Sequence, residues 1–196
     1  MAAIALNVLI LAAARIASAV NFEDDPKHFS RQKILALTRV EDLLYVKYRN
    51  FASATIMPCH AIKQEQRLGL YFFQYTVFTA LDPNQREYTV QSTQLRILQT
   101  PPHNSYNAAR FRLEPVGEAD VWKLLYGDES DTCFILVRTR QNGARECLLL
   151  QTSYTAAKPT PPLCEEVFLN HCRGFFFVLY HPNCKGLLKR QRPYSG

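Results

Sequence analysis

Six cysteines, Cys59, Cys133, Cys147, Cys164, Cys172 and Cys184, are the residues of this chain with the most chemistry open to them. Thiols ligate metals, attack as nucleophiles or pair as disulfides, and their spacing separates these roles. No Cys-x-x-Cys pair is present, which argues against a zinc ribbon or a redox site. His60 follows Cys59 and His171 precedes Cys172, but adjacent residues on a strand point to opposite faces, so neither pair is a natural chelate. No metal is therefore expected. An even number of cysteines in an oxidising compartment reads as three disulfides, with fifteen connectivities open from sequence alone. The chain also has no Gly-x-Ser-x-Gly elbow, no His-Glu-x-x-His and no phosphate loop. No catalytic residue, cofactor or enzymatic activity is expected.

The N-terminus supplies the oxidising compartment. Residues 1–19 hold an apolar run from Ile4 to Ala14 and then Ala17-Ser18-Ala19, a small-x-small cleavage site. The run is too short to span a hydrocarbon core of roughly 30 Å. It reads as a signal peptide, leaving a secreted, extracellular chain that starts near Val20. Residues 20–196 then form one domain. Net charge is +6, with Lys185, Lys189, Arg190 and Arg192 concentrated in a basic tail, 185–196. Such a tail either binds an acidic surface or heparin-like polymer, or is a solvated terminus. Nothing in the sequence calls for a nucleic acid or a membrane as partner.

The elements that position the cysteines are mostly strands. Residues 22–40 are polar and helix-tolerant, with Ile34, Leu35 and Leu37 as apolar contacts. Leu44–Arg49 alternates, placing Leu44, Val46 and Tyr48 on one face and Tyr45, Lys47 and Arg49 on the other. Further strands are predicted over 56–64, 70–79, 87–98, 109–113, 121–126, 133–140 and 144–152, with turns at Asp82-Pro83-Asn84 and Gly127-Asp128-Glu129-Ser130. Asn142-Gly143 marks the last hairpin and favours a two-residue turn. A helix is expected over 163–169, after Pro161-Pro162, with Gly174 beyond its end. One more extended piece follows over 175–180. Eight strands without helical crossovers exclude parallel α/β order. The predicted class is all-β: an eight-stranded antiparallel barrel with a C-terminal helix packed outside, the order of elements in a lipocalin.

The chain also resembles the tick salivary lipocalins of the histamine-binding family over most of residues 20–196. The residues that carry this are Tyr45-Val46-Lys47-Tyr48-Arg49-Asn50, Leu125-Tyr126-Gly127-Asp128 leading to Asp131-Thr132-Cys133-Phe134, Cys147-Leu148-Leu149-Leu150, Pro161 to Cys172, and Tyr180 to Cys184. The resemblance implies the pairs Cys59–Cys184, Cys133–Cys164 and Cys147–Cys172. It also implies a monomer that sequesters a small host mediator, chiefly a biogenic amine such as histamine or serotonin.

Residue chemistry points elsewhere for the ligand. Where the family places an aspartate this chain has Phe134, where it places a glutamate and a tryptophan it has Leu148 and Leu150, and a further acid would fall near Leu124 unless the register shifts to Asp120. Apolar lining by Phe134, Leu148, Leu150 and Trp122 suits a lipid mediator such as a leukotriene or fatty acid. Arg110 and Arg112 share a face around Phe111 and meet its carboxylate if that face is inward; solvated outside arginines are the commoner case. Tyr45, Tyr48, Phe73, Tyr75 and Phe111 complete the candidate ligand set. A third alternative is a barrel that serves only as scaffold for a surface blocking a host protein, with residues 99–108 as a contact loop.

Overall fold

The computed structural model describes residues 20–52, 58–80, 88–114 and 118–185. The signal segment, the Asp82-Pro83-Asn84 turn and most of the basic tail lie outside the described residues. The chain enters through three short 3-10 helices, Phe22–Asp24, Pro26–Arg31 and Ile34–Arg39. Eight strands follow: β1 Leu44–Arg49, β2 Ala61–Arg67, β3 Phe72–Ala80, β4 Tyr88–Leu98, β5 Ala108–Phe111, β6 Asp120–Gly127, β7 Cys133–Thr139 and β8 Arg145–Thr152. Then come α1, Pro162–His171, and a two-residue strand β9, Phe177–Val178. Each of β1 to β8 pairs antiparallel with the next, and β8 pairs with β1, so the sheet closes. Closure satisfies the edges that an open sheet would leave exposed.

Strand period sets the two faces. Ile62, Phe73, Tyr75, Leu95, Ile97, Phe111, Trp122, Leu124, Phe134, Leu136, Leu148 and Leu150 form one buried cluster inside the barrel. Ile34 and Leu37 from the third 3-10 helix join that cluster and floor one end. There the Ile34 amide donates to the Tyr106 carbonyl at 3.0 Å, and Gln32 Nε2 donates to Leu125 O at 3.1 Å. The opposite end, where β1 leaves at Arg49 and β5 at Phe111, is the mouth.

Two departures from simple alternation matter. The register of β1 against β8 runs Val46↔Leu150 and then Tyr48↔Leu149, so a bulge falls at Lys47. A bulge inserts one residue and reverses the face of all that follow. Tyr48 therefore turns outward and Arg49 turns inward, the reverse of the alternating prediction. Beyond Tyr45, β1 and β2 also separate, and the C-terminal segment fills the gap. Phe177 and Val178 pair with Arg49 and Tyr48, and the Leu179 carbonyl accepts from the Cys59 amide at 2.8 Å. Leu179 reaches the interior cluster, with Phe177 packed against it.

The cysteine pairs are Cys59–Cys184, Cys133–Cys164 and Cys147–Cys172, with Cα separations of 5.1, 6.6 and 5.8 Å. The last two fasten α1 to β7 and β8, where Phe168 packs among Leu125, Ile135 and Leu149. Cys59 itself precedes β2 with φ +57°, instead of lying within a strand over 56–64. The β7–β8 hairpin forms as expected, but its loop spans residues 141–143 and not two residues. Gly143 adopts φ +81° and donates to Arg140 O at 2.9 Å, while the Arg140 amide bonds Ala144 O. Glycine accepts that left-handed geometry without steric cost.

Candidate ligand-binding site

The inward surface has two parts. Its floor and middle are apolar, built from Leu44, Val46, Ile62, Leu95, Ile97, Leu124, Phe134, Leu136, Leu148 and Leu150. Its mouth holds a charged cluster that alternation dictates. Arg138 shares the inward face of β7 with Leu136, and Glu146 opposes it on β8. Asp120 opposes inward Phe111 at the start of β6. Arg49 arrives through the β1 bulge, and Glu114 through the loop after β5.

Arg138 bonds Glu146 Oε2 through Nε at 2.6 Å and forms an ion pair with Asp120. Arg140 also reaches both acids, with Nε 3.0 Å from Glu146 Oε2 and Nη1 3.9 Å from Asp120 Oδ1. Arg49 Nη1 lies 3.6 Å from Glu114 Oε1. Aromatic faces fill the space between. The Arg138 guanidinium stands 4.5 Å from the Trp122 ring centre and 5.4 Å from that of Phe51. Arg49 stands 5.4 Å from Phe51 and 5.9 Å from Phe177. The Phe51 ring thus has two guanidiniums within 5.4 Å of its centre, each drawn to the ring.

Depth orders the charges. The Arg49 and Arg138 side chains are 2% and 11% exposed, whereas Glu146, Glu114 and Asp120 are 15%, 34% and 38% exposed. Arg49 is the most deeply buried member, Arg138 and Glu146 are nearly alike, and Glu114, Asp120 and Arg140 (45% exposed) form the solvent side. His60 is buried just before β2 and feels the Arg49 charge. Burial pushes its imidazole down to about 4; the Arg49 charge adds to this, and a hydrogen bond to the Leu113 backbone only partly opposes it. Trp122 Nε1 and His60 Nε2 are buried here without a hydrogen-bond partner among the described residues. Such groups mark places where a ligand or water completes the bonding. Tyr75, deeper in, donates to Gln64 Oε1 at 3.1 Å, and burial drives its hydroxyl well above the usual range.

Seven sequence-derived candidates face the interior together: Phe73, Tyr75, Phe111, Trp122, Phe134, Leu148 and Leu150. Four do not. Tyr45 packs outside with Ala61, Phe78 and Tyr180, because it pairs with Gln151 and Ala61 on the outward parity. Tyr48 turns out at the bulge onto Phe168 and Phe176. Arg110 and Arg112 are exposed, since inward Phe111 forces both neighbours outward; Arg110 sits opposite Arg96. The polar mouth, Arg49, Arg138, Asp120, Glu146, Glu114 and His60, was missed apart from the remark on Asp120. The signal available was the matched alternation Arg138-x-Arg140 and Arg145-Glu146 at the hairpin ends. The bulge that brings Arg49 inward leaves no such mark.

Residues 23–186 match the family described as tick histamine binding protein. The chain belongs to that family. No curated protein sequence matches it. Among solved structures it resembles japanin from Rhipicephalus appendiculatus bound to cholesterol, with a TM-score of 0.54 at 11% identity, covering 72% of this chain and 93% of that one. It also resembles AM182 in complex with serotonin (TM-score 0.54, 9% identity, covering 74% and 85%). Insecticyanin from the tobacco hornworm Manduca sexta gives a TM-score of 0.53 at 9% identity, covering 76% and 82%. Identities this low speak for the lipocalin fold alone. As a family and a fold, these are ligand binders and not enzymes. Three disulfides accord with an extracellular setting, and no helix among the described residues is long and apolar enough to cross a membrane.

Proposed function

We propose that this protein is a secreted scavenger of an amphipathic organic acid, a fatty-acid-like host mediator whose loss would blunt inflammation. One observation carries the choice of ligand class: the most buried charged side chains of the mouth cluster are Arg49 and Arg138, beside an apolar interior. A hydrocarbon chain directed at Leu148, Leu150 and Phe134 would leave its carboxylate beside those two cations. Trp122 Nε1, a buried indole N–H of the same interior without a partner among the described residues, would supply a donor. A cationic amine seated in the same apolar space would lie beside the Arg49 and Arg138 guanidiniums, at low dielectric, where like-charge repulsion is strong.

The second reading is the amine. Asp120, Glu146 and Glu114 do face the mouth, and AM182, one of the structural neighbours, was solved as a serotonin complex. An amine would have to displace an arginine from them. Japanin was solved with cholesterol, so neighbours of this fold span both chemistries.

Trp122 is the single tryptophan of the chain and stacks on Arg138, so its emission reports the site directly. Titration with a long-chain fatty acid, a leukotriene, histamine and serotonin is expected to show quenching by the acids at micromolar concentration. In Arg138→Met the mouth loses one positive charge, and acid affinity should fall about tenfold while serotonin affinity rises. Amine binding without acid binding would replace the proposal with the amine reading. Binding of neither would favour a surface that blocks a host protein. N-terminal sequencing of the exported protein should begin near Val20.

A further inference from the structure

Three arginines that the barrel interior does not use stand together on its outer wall. Arg96 on β4 lies directly opposite Arg110 on β5, and Arg112 follows two residues further along the same face. Direct cross-strand neighbours have Cβ atoms about 5 Å apart, and residues two apart along a strand are separated by roughly 7 Å. The Arg112 amide donates to Thr93 Oγ1 at 3.3 Å, which keeps it beside β4 after β5 has ended. All three residues are exposed, and none forms an ion pair among the described residues. The acids of this flank are Glu65, two strands away on β2, and Glu118, just before β6; neither comes within ion-pair distance of the three. Asp120 is turned to Arg138 and Glu114 to Arg49. The Arg96 guanidinium stands 5.5 Å from the Phe72 ring centre, and Arg110 Nε donates to Ala119 O at 3.3 Å. Like charges directly opposite each other destabilise an antiparallel pair, and an anion between them would remove that repulsion.

Side-chain chemistry narrows the occupant. A planar guanidinium fork binds an oxyanion through paired hydrogen bonds, so three forks on one open face suit a molecule carrying several oxyanions. Uncharged polar side chains stand beside them: Gln94 and Ser92 on β4 are exposed, and Gln74 on β3 lies opposite Gln94. These suit sugar hydroxyls. A bilayer or a single nucleic-acid strand would instead need free rings to insert or to stack on bases. The ring of this face, Phe72, lies under the Arg96 guanidinium, and Val121, opposite Arg110, is too short to reach past the arginines.

We propose that Arg96, Arg110 and Arg112 form a binding site for a sulfated polysaccharide on the outer wall of the barrel, separate from the interior. Heparin binding by the full exported chain tests it, with the basic tail as a control. Arg96→Gln/Arg110→Gln/Arg112→Gln should lower heparin affinity about tenfold at roughly 0.15 M salt and flatten its salt dependence, because fewer counterions are released. Its melting temperature should not fall, since the like-charge pair is gone. Quenching of its Trp122 emission by a long-chain fatty acid should match the parent, which separates this site from the interior one. Arg110→Gln alone should weaken heparin binding about threefold, and the triple lysine variant should keep part of the affinity as point charges. Lys189→Gln/Arg190→Gln/Arg192→Gln should elute from heparin with the parent. Three outcomes would overturn the site: parental elution of the triple glutamine variant, loss of binding in the tail variant, or equally tight binding of the parent to desulfated heparin or phosphatidylserine vesicles.

Discussion

Phe51 and Trp122 lie beside guanidiniums that solvent hardly reaches, and that neighbourhood shapes the ionisation of the mouth. His60 shares it. Its folded pKa, about 4, lies below the unfolded value of 6.5, so the unfolded chain binds more protons between those pH values. The contribution of neutral His60 is therefore fully present above pH 6.5 and is lost as pH falls toward 4. The gap corresponds to roughly 3 kcal/mol. Urea midpoints measured from pH 7 to pH 4 should fall, and His60→Gln should flatten that slope; an unchanged slope would place the titration elsewhere. At this scale sequence was a fair guide to apolar lining and a poor one to polar lining. Phe134, Leu148 and Leu150 keep their parity because no irregularity precedes them within β7 or β8. Tyr48 and Arg49 exchange faces across a single extra residue.

Element by element, two disulfides and one buried phenyl ring explain why a ten-residue helix stays docked. Isolated helices of that length are marginal in water. Pro162 starts α1 and no side chain caps it, so its order comes from Cys164, Cys172 and Phe168 packing on β7 and β8. Cys147 and Cys172 lie 25 residues apart, and Cys59 and Cys184 lie 125 apart. In the chain-entropy model their loss costs about 3–4 and about 5 kcal/mol respectively. Denaturant unfolding of Cys147→Ala/Cys172→Ala and of Cys59→Ala/Cys184→Ala should follow that order. The second variant should also loosen β9, since Cys184 anchors the segment that separates β1 from β2, and faster amide exchange at Leu179 would show it. Hairpin and helix were legible locally, from Asn142-Gly143 and from Pro161-Pro162. The wedge of Phe177 and Leu179 was not, because a short apolar run carries no mark of the strand pair it will part.

Across the whole molecule, the N-terminal segment is fastened to the distant β8 by one buried ion pair. Arg145 Nη1 and Nη2 meet Glu23 Oε1 and Oε2 at 2.7 and 2.8 Å, and the Glu23 carboxylate is 3% exposed. Burial alone would raise the Glu23 pKa, but the Arg145 hydrogen bonds and charge outweigh it and hold the carboxyl below its ordinary 4.5. A depressed folded pKa gives stability that is present above 4.5 and is lost as pH falls below it. Glu23→Gln should lower stability by about 2 kcal/mol at pH 7 and remove this acid limb, as read by thermal melts at pH 7 and pH 3. The two acid-sensitive windows, above and below about pH 4, are thereby assigned to different residues.

Sequence by itself determined the architecture: even-numbered cysteines, strands every ten or so residues and a late helix admit few closed solutions, and a barrel is the one that leaves no edge. It also determined that the barrel floor is apolar, because period-two alternation is a local property of each strand. Tertiary structure alone decided what stands at the mouth. Which acid meets which arginine depends on register between strands, on one bulge in β1 and on a C-terminal segment inserted into the wall. Those are long-range relations, and a one-residue shift in any of them reverses the face of a side chain. The replacement of acids by Phe134 and Leu148 is visible in the sequence. That other acids return at Asp120, Glu146 and Glu114, already matched by buried arginines, needed the closed sheet to be seen.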